Sequence, residues 1–147
     1  MWTCPKCGRA FTRSHQSHSC GRFTVAAVLE GKAPHEVALY RRFEELALGV
    51  GEVVVAPAKT RIGFQRGRIF TAVNGLSRGQ IQVHFVTEKP IRNGRIRRVE
   101  ALAPDYYVNH ARFASLQDMD DEVLQWLRRG YEWGGGTFNP GSRFPEL

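Results

Sequence analysis

The sequence has no long apolar run and little cysteine, and both shortages restrict the kind of protein it can be. No stretch approaches the roughly 18 to 20 apolar residues that a membrane-spanning helix needs. The chain begins Met-Trp-Thr-Cys-Pro, without the basic segment and apolar core of a secretion signal, so we expect a cytoplasmic protein. Because 42% of its 147 residues are apolar, it still has enough of them to build a packed domain.

The three cysteines lie together in the N-terminal stretch CPKCGRAFTRSHQSHSC. An odd number of clustered thiols in a protein that is not secreted favours a metal site or free thiols over a disulfide framework. Cys4 and Cys7 flank a tight turn that lets two thiolates approach one Zn²⁺ ion, and Cys20 is a third ligand. The fourth is a histidine: His18 points to the same side as Cys20 if the chain is extended, whereas His15 fits only if it coils.

The predicted zinc site has a structural rather than a catalytic character. Three cysteines and one histidine complete the tetrahedron that Zn²⁺ prefers and leave no position for a reactive water molecule. We therefore expect one structural zinc ion in a small N-terminal lobe. Three thiols without a metal remain the alternative.

Acidic residues are scarce in two regions of the chain, and positive charge is concentrated there. The formal net charge is +7, from 21 basic and 14 acidic residues. Residues 59–112 contain eleven bases and three acids, while residues 1–22 contain four bases and no acid. Such a field attracts polyanions, of which nucleic acid is the commonest. A solvated cationic surface without a partner is the alternative.

The apolar periodicity predicts an α+β fold. A short helix capped by Thr24 and a longer one starting at Pro34 come first, and a third helix near the C-terminus is capped by Asp118 or Asp120. Six runs between them alternate like strands: EVVVAP, TRIGFQ, RIFTAV, QIQVHFV, IRRVEAL and DYYVNHARF. Their short connections predict an antiparallel meander of about six strands, with the helices on one face.

Three regions follow from this organisation. We expect a zinc-ribbon-like lobe at residues 1–22, an α+β domain at residues 23–133 and a loose C-terminal tail at residues 134–147.

Basic side chains on and beside the predicted strands predict a surface that binds nucleic acid, either DNA or structured RNA. Phe70, Tyr106 and Tyr107 would offer stacking surfaces for bases. The three acids of the region could pair with some of these bases but cannot neutralise eleven. The candidate phosphate ligands are Lys59, Arg61, Arg66, Arg68, Arg95, Arg97 and Arg98, with Arg9 and Arg13 of the zinc lobe assisting.

No catalytic residue is assigned, and we expect a binding protein rather than an enzyme. The sequence has no nucleophile elbow and no phosphate-binding glycine loop before a helix. One alternative is a protein-interaction adaptor that uses the zinc lobe and the C-terminal helix, with Trp2, Trp126 or Trp133 exposed as anchors. The other is an enzyme for a phosphorylated small molecule. Its site would use the two strand histidines His84 and His110, or an anion pocket around Lys59 and Arg61.

Several segments together resemble one family of small bacterial proteins, domain of unknown function 5655. The resemblance covers residues 1 to about 133 and implies no particular reaction. Some members carry a zinc-ribbon-like head whose ligand pattern ends in His-Ser-Cys, which implies His18 rather than His15 as the ligand. The segments are MWTCPKCGRAF…HSCGRF, VALYRRFEEL, PAKTRIGF and YYVNHARFASLQDMDDEVLQWLRRGYE.

The second half of the chain is also similar to the YjbR/MmcQ-type double-wing fold. This resemblance rests on the strand-rich region followed by the C-terminal helix. It implies an α+β domain of a kind suspected of nucleic-acid binding, but a shared fold does not by itself assign a function.

Overall fold

Helices and strands alternate in blocks along the computed structural model, which describes residues 2–5, 10–11 and 23–135. The helices are α1 (Val25–Leu29), α2 (Pro34–Leu48) and α3 (Asp121–Gly134), with a 3-10 turn at Leu116–Asp118. The strands are β1 (Trp2–Thr3), β2 (Ala10–Phe11), β3 (Val54–Pro57), β4 (Ile62–Arg66), β5 (Arg68–Ser77), β6 (Gln80–Thr87), β7 (Ile96–Ala103) and β8 (Tyr106–Phe113).

The helix starts follow the capping residues that the sequence offers. The hydroxyl of Thr24 accepts a hydrogen bond from the Ala27 N–H at 3.0 Å, and Pro34 is the first residue of α2. Of the two candidate caps near the C-terminus, only one caps the third helix. Asp118 accepts from the backbone N–H of Ser115 at the 3-10 turn, while Asp120 caps α3.

Strands β3 to β8 form one antiparallel sheet in the order β3-β4-β5-β6-β8-β7. The predicted six antiparallel strands and the α+β class are therefore confirmed, but the prediction of a simple meander is wrong at its end. Strands β7 and β8 are joined by a tight turn in which Asp105 has a φ of +61°, so they form a hairpin that could add to β6 through either strand. The connection over residues 88–95 is long enough to let β8 take the inner position.

Burial explains why β8 is the inner strand of that hairpin. Asn109, Ala111 and Phe113 of β8 are buried, whereas Val99 and Leu102 of β7 are 39% and 56% exposed. An edge strand keeps one side in water and tolerates this exposure, while an inner strand must bury one face. The apolar alternation of β8 therefore suits the place beside β6.

Asn109 holds the long connection in place from inside the protein. Its amide donates to the carbonyl of Phe85 at 3.0 Å and to the hydroxyl of Thr87 at 2.8 Å. Its Oδ1 accepts from the N–H of Ile91 at 2.9 Å. A buried amide with both ends satisfied fixes the path of residues 88–95 and, with it, the insertion of β8.

The hydrophobic core lies between the sheet and helices α2 and α3. Ile81, Val83 and Phe85 of β6 point into it as predicted, and the Phe85 ring meets those of Phe43 and Trp126 at 5.9 and 5.4 Å. Since side chains alternate along a strand, the intervening residues of β6 and β8 point to the opposite face. That face carries the cross-strand pairs Gln82–Arg112 and His84–His110.

Candidate functional site

Arg66 and Arg68 contact the C-terminal turn of α3. Their guanidinium carbons lie 4.1 and 4.0 Å from the ring centres of Tyr131 and Trp133. Arg66 donates to the carbonyl of Tyr131 at 3.1 Å, and Arg68 donates to the carbonyl of Trp133. Cations at a helix C-terminus also interact favourably with its dipole. These two candidate phosphate ligands thus fasten α3 to the β4–β5 hairpin.

Arg95 contacts the other end of the same helix. It donates to the carbonyl of Asp118 at 2.7 Å and pairs with Asp120 at 3.3 Å and Glu122 at 3.6 Å. Its guanidinium carbon also lies 5.0 Å from the ring centre of Trp126. Arg95 therefore has several partners within the protein, and its charge is compensated locally.

Arg97 and Arg98 of β7, together with Arg112 of β8, line a depression of about 530 Å³ on the sheet face away from the core. All three side chains are exposed. We call this feature the arginine depression, and it is lined by Arg97, Arg98 and Arg112 together with Asn74, Gln82 and His110.

A bulge in β7 explains how two consecutive arginines reach the same depression. In a regular strand Arg97 and Arg98 would point to opposite faces of the sheet. The pairing of β7 with β8 shifts between Ile96 and Arg98, and such a bulge turns the extra residue out of alternation. Both residues therefore border the arginine depression.

Acidic residues compensate little of the charge in the arginine depression. Glu100 pairs with Arg98 at 3.5 Å. Within the part of the chain that the structure describes, neither Arg97 nor Arg112 forms an ion pair. The guanidinium groups of these two residues are thus available to an anion from outside.

His84 and His110 lie side by side next to the arginine depression, with their ring centres 6.0 Å apart. The Nδ1 atom of His84 lies 2.7 Å from Oδ1 of Asn74, and because that oxygen only accepts, Nδ1 carries the proton. Burial, with His110 and Arg61 nearby, lowers the pKa of His84 to about 4. His84 is therefore neutral near pH 7.

His110 is held by the neighbouring strand. Its Nε2 atom lies 2.7 Å from Oε1 of Glu100. This hydrogen bond, helped by the charge of Arg98, lowers the pKa of Glu100. His110 lines the arginine depression, whereas His84, Lys59 and Arg61 are not among the residues that line it.

Several aromatic side chains that are expected at the surface pack inside the protein instead. Phe70 is fully buried, and Tyr106 packs on Trp133 with ring centres 5.0 Å apart. Trp126 and Trp133 are 3% and 1% exposed, so the prediction that they are exposed anchors is wrong. Both belong to the interior face of the amphipathic helix α3, which the sheet covers.

Four side chains of the arginine depression were absent from the predicted phosphate ligands: Arg112, Asn74, Gln82 and His110. Arg112 and His110 alternate with the buried residues of β8, which is a signal that the sequence contains. Asn74 carries no such signal, because it lies where the pairing of β5 with β6 shifts.

Most of the predicted zinc site lies outside the described residues. Cys4 is buried, while Cys7, His18 and Cys20, and also Arg9 and Arg13, fall in segments about which the structure says nothing. Among the residues that are described, no group of three or more histidine, cysteine or acidic side chains could hold a metal ion. The zinc site stays a prediction.

The structure thus defines a class of protein: an α+β domain with helices on one side of an antiparallel sheet and a cationic depression on the other. The family model described as Domain of unknown function (DUF5655) matches residues 25–134, about three quarters of the chain. The chain belongs to this family. No curated protein and no solved structure matches it. In the described ranges, no helix combines the length and the apolar character needed to cross a membrane.

Proposed function

We propose that the protein binds nucleic acid through the sheet face that carries the arginine depression. The observation that supports this most is the convergence of Arg97, Arg98 and Arg112 on one depression. Among the residues that the structure describes, the only carboxylate that pairs with any of the three is Glu100, through Arg98. A guanidinium group offers a planar fork of N–H donors that matches two phosphate oxygens. Three such forks with little internal compensation form a local field that attracts a polyanion.

Only some of the predicted phosphate ligands lie where they can bind phosphate. Arg66, Arg68 and Arg95 contact α3 and contribute mainly to its packing. Arg61 is exposed and close enough to affect the pKa of His84, so it extends the positive face beyond the depression. Lys59 is also exposed and stays a candidate.

Replacing any one of Arg97, Arg98 and Arg112 with glutamine should weaken nucleic-acid binding several-fold and make it less dependent on salt. Each phosphate contact that is lost lowers the slope of log K against log salt concentration by about 1. Fluorescence anisotropy with labelled single strands and duplexes at several salt concentrations measures both quantities.

The matched control for these variants is Arg128→Gln. Arg128 is an exposed arginine of α3, the helix on the opposite side of the sheet. The substitution removes the same charge from a different face, so the slope of log K against log salt concentration should stay at the wild-type value. Equal losses for Arg128 and for the arginines of the depression would contradict the assignment of the face, and no binding of any strand at low salt would end the proposal.

We also propose that Cys4, Cys7, His18 and Cys20 hold one structural zinc ion. Two observations support it. Strands β1 and β2 pair antiparallel with Trp2 opposite Phe11, and Cys4 directly follows β1. Cys4 is also buried, as expected for a zinc ligand in a small lobe. The zinc-ribbon-like head is part of the proposed zinc site. The likeness to the YjbR/MmcQ-type double-wing fold is part of the proposed nucleic-acid binding.

Purified protein is expected to contain about one zinc ion per chain, as measured by atomic absorption. Cys7→Ser should remove it, because a structural site needs its complete set of ligands. His18→Ala should lose metal while His15→Ala keeps it. Full occupancy in His18→Ala together with loss in His15→Ala would exchange the two histidines, and no zinc in the wild type would contradict the site.

The adaptor alternative loses support from the positions of the tryptophans. Two of its three anchors, Trp126 and Trp133, lie in the core, and hot-spot tryptophans must reach the partner's surface. Binding that survives high salt would still favour a protein partner over nucleic acid.

A further inference from the structure

The arginine depression has different chemistry at its two ends. Its residues come from four adjacent strands in the order β5, β6, β8 and β7. Asn74 and Gln82 lie on the first two strands, while Arg112, Arg97 and Arg98 lie on the last two. Neighbouring strands are about 4.8 Å apart, so three spacings give the depression a span of about 14 Å. One end therefore presents amides and the other guanidinium groups.

The amide end has donors and acceptors to spare. Oδ1 of Asn74 accepts from His84, but the NH₂ group of Asn74 has no partner among the described residues. The Gln82 side chain makes no hydrogen bond with the described part of the chain either. Amide groups carry both donors and acceptors and can match the edge of a base or the hydroxyls of a sugar. A ligand with a phosphate at one end and a nucleoside at the other fits this arrangement.

The charge of the guanidinium end matches a phosphomonoester better than a diester. Arg97, Arg98 and Arg112 supply three positive charges, and Glu100 removes one, which leaves +2 from these four groups. A phosphomonoester carries a charge of about −1.5 to −2 at pH 7 and three acceptor oxygens. An internal diester carries a charge of only −1 and two free oxygens. The volume of about 530 Å³ also falls in the range of pockets that enclose one small ligand.

We infer that the arginine depression binds a nucleoside phosphomonoester, with the phosphate on Arg97, Arg98 and Arg112 and the nucleoside towards Asn74 and Gln82. This inference rests on the proposed binding of nucleic acid and makes it specific, since the phosphorylated end of a strand carries this group. A free nucleoside monophosphate carries the same chemistry, and the experiment distinguishes the two sources.

The test compares single strands of one sequence that differ only at their ends. A labelled strand of about twelve nucleotides is prepared with a 5′-phosphate, with a 3′-phosphate and with hydroxyl groups at both ends. Anisotropy titrations with the full chain should show about tenfold tighter binding for one phosphorylated form than for the hydroxyl form. Equal affinity of all three strands would overturn the inference and leave the proposed function standing, whereas no binding of any strand would overturn both.

Variants decide whether the preference comes from the arginine depression. Arg98→Gln and Arg112→Gln should abolish the preference for the phosphorylated end, while Arg128→Gln should keep it. Gln82→Ala should weaken binding of the phosphorylated strand several-fold, because it changes the nucleoside end of the depression without altering the charge. Thermal unfolding of each variant shows that it is folded. A preference that survives in both arginine variants would overturn the inference.

Competition identifies the source of the phosphomonoester. Adenosine and uridine monophosphate, both 5′ and 3′, inorganic phosphate and the unlabelled phosphorylated strand are titrated against the bound, labelled phosphorylated strand. Displacement by a nucleoside monophosphate at concentrations similar to those of the strand supports the inference and identifies the free nucleotide as sufficient. Displacement only by phosphorylated strands supports it and identifies the strand end. Inorganic phosphate that competes as well as every nucleotide would overturn the role of the nucleoside end.

Discussion

Replacing Arg66 and Arg68 together with glutamine is expected to destabilise the protein by about 4 kcal/mol and to leave the salt dependence of nucleic-acid binding unchanged. Each guanidinium group stacks on an aromatic ring of α3 and donates to a carbonyl at its end. Hydrogen bonds to charged groups contribute about 1.5–3 kcal/mol, and stacking of a cation on a ring about 0.5–2 kcal/mol. Because both side chains are partly exposed, we expect the lower part of these ranges at each site.

Urea unfolding followed by circular dichroism measures the loss of stability, and anisotropy titrations measure the salt slope. The matched variant is the double replacement of Arg97 and Arg98 with glutamine, which removes the same charge from another hairpin. It should lower the slope by about 2 and change the stability by less than about 1 kcal/mol. Residues 66 and 68 face each other across their hairpin, so the two single changes need not add. A lower salt slope in the Arg66 and Arg68 variant would mean that these two residues also bind phosphate.

Arg66 and Arg68 pack within the protein while Arg97 and Arg98 face solvent, and this difference could not be predicted from the sequence. Clustering in residues 59–112 identifies a basic region, but Arg66 and Arg68 find their partners 65 positions along the chain, in Tyr131 and Trp133. Charge density is a local property of a sequence, while neutralisation and stacking depend on tertiary contacts. Nothing near Arg66 distinguishes it from Arg97.

The elements of the fold could be predicted more fully because their signals are local. Alternating apolar residues identified all six strands, and Thr24 and Pro34 marked the starts of α1 and α2. The order of the strands could not be predicted, since it depends on which strand of a hairpin buries more apolar surface beside β6. That order places β8 beside β6, with Arg112 opposite Gln82, and the arginine depression depends on it.

The histidine pair gives the second large effect: we expect the protein to lose about 2–3 kcal/mol of stability through His84 between pH 6.5 and pH 4. Burial is the main reason that its pKa falls to about 4 in the folded state, and the nearby His110 and Arg61 act in the same direction. Glu100 acts in the opposite direction. In the unfolded chain the pKa returns to about 6.5. Between these values the unfolded state binds more protons, so the free energy of unfolding falls as the pH is lowered.

His84→Gln is the variant that isolates this contribution, because glutamine keeps a donor for Asn74 and has no charge to gain. Urea unfolding at intervals from pH 7 to pH 4 should give a steep decline for the wild type and a shallower one for the variant. Relative to the variant, the wild type should lose about 2–3 kcal/mol between pH 6.5 and pH 4. The control is His35→Gln, since His35 bonds the carbonyl of Ala114 at the surface, away from the histidine pair. Parallel curves for wild type and His84→Gln would mean that His84 titrates normally. The two cross-strand imidazoles would then be solvated neighbours rather than a partly buried pair.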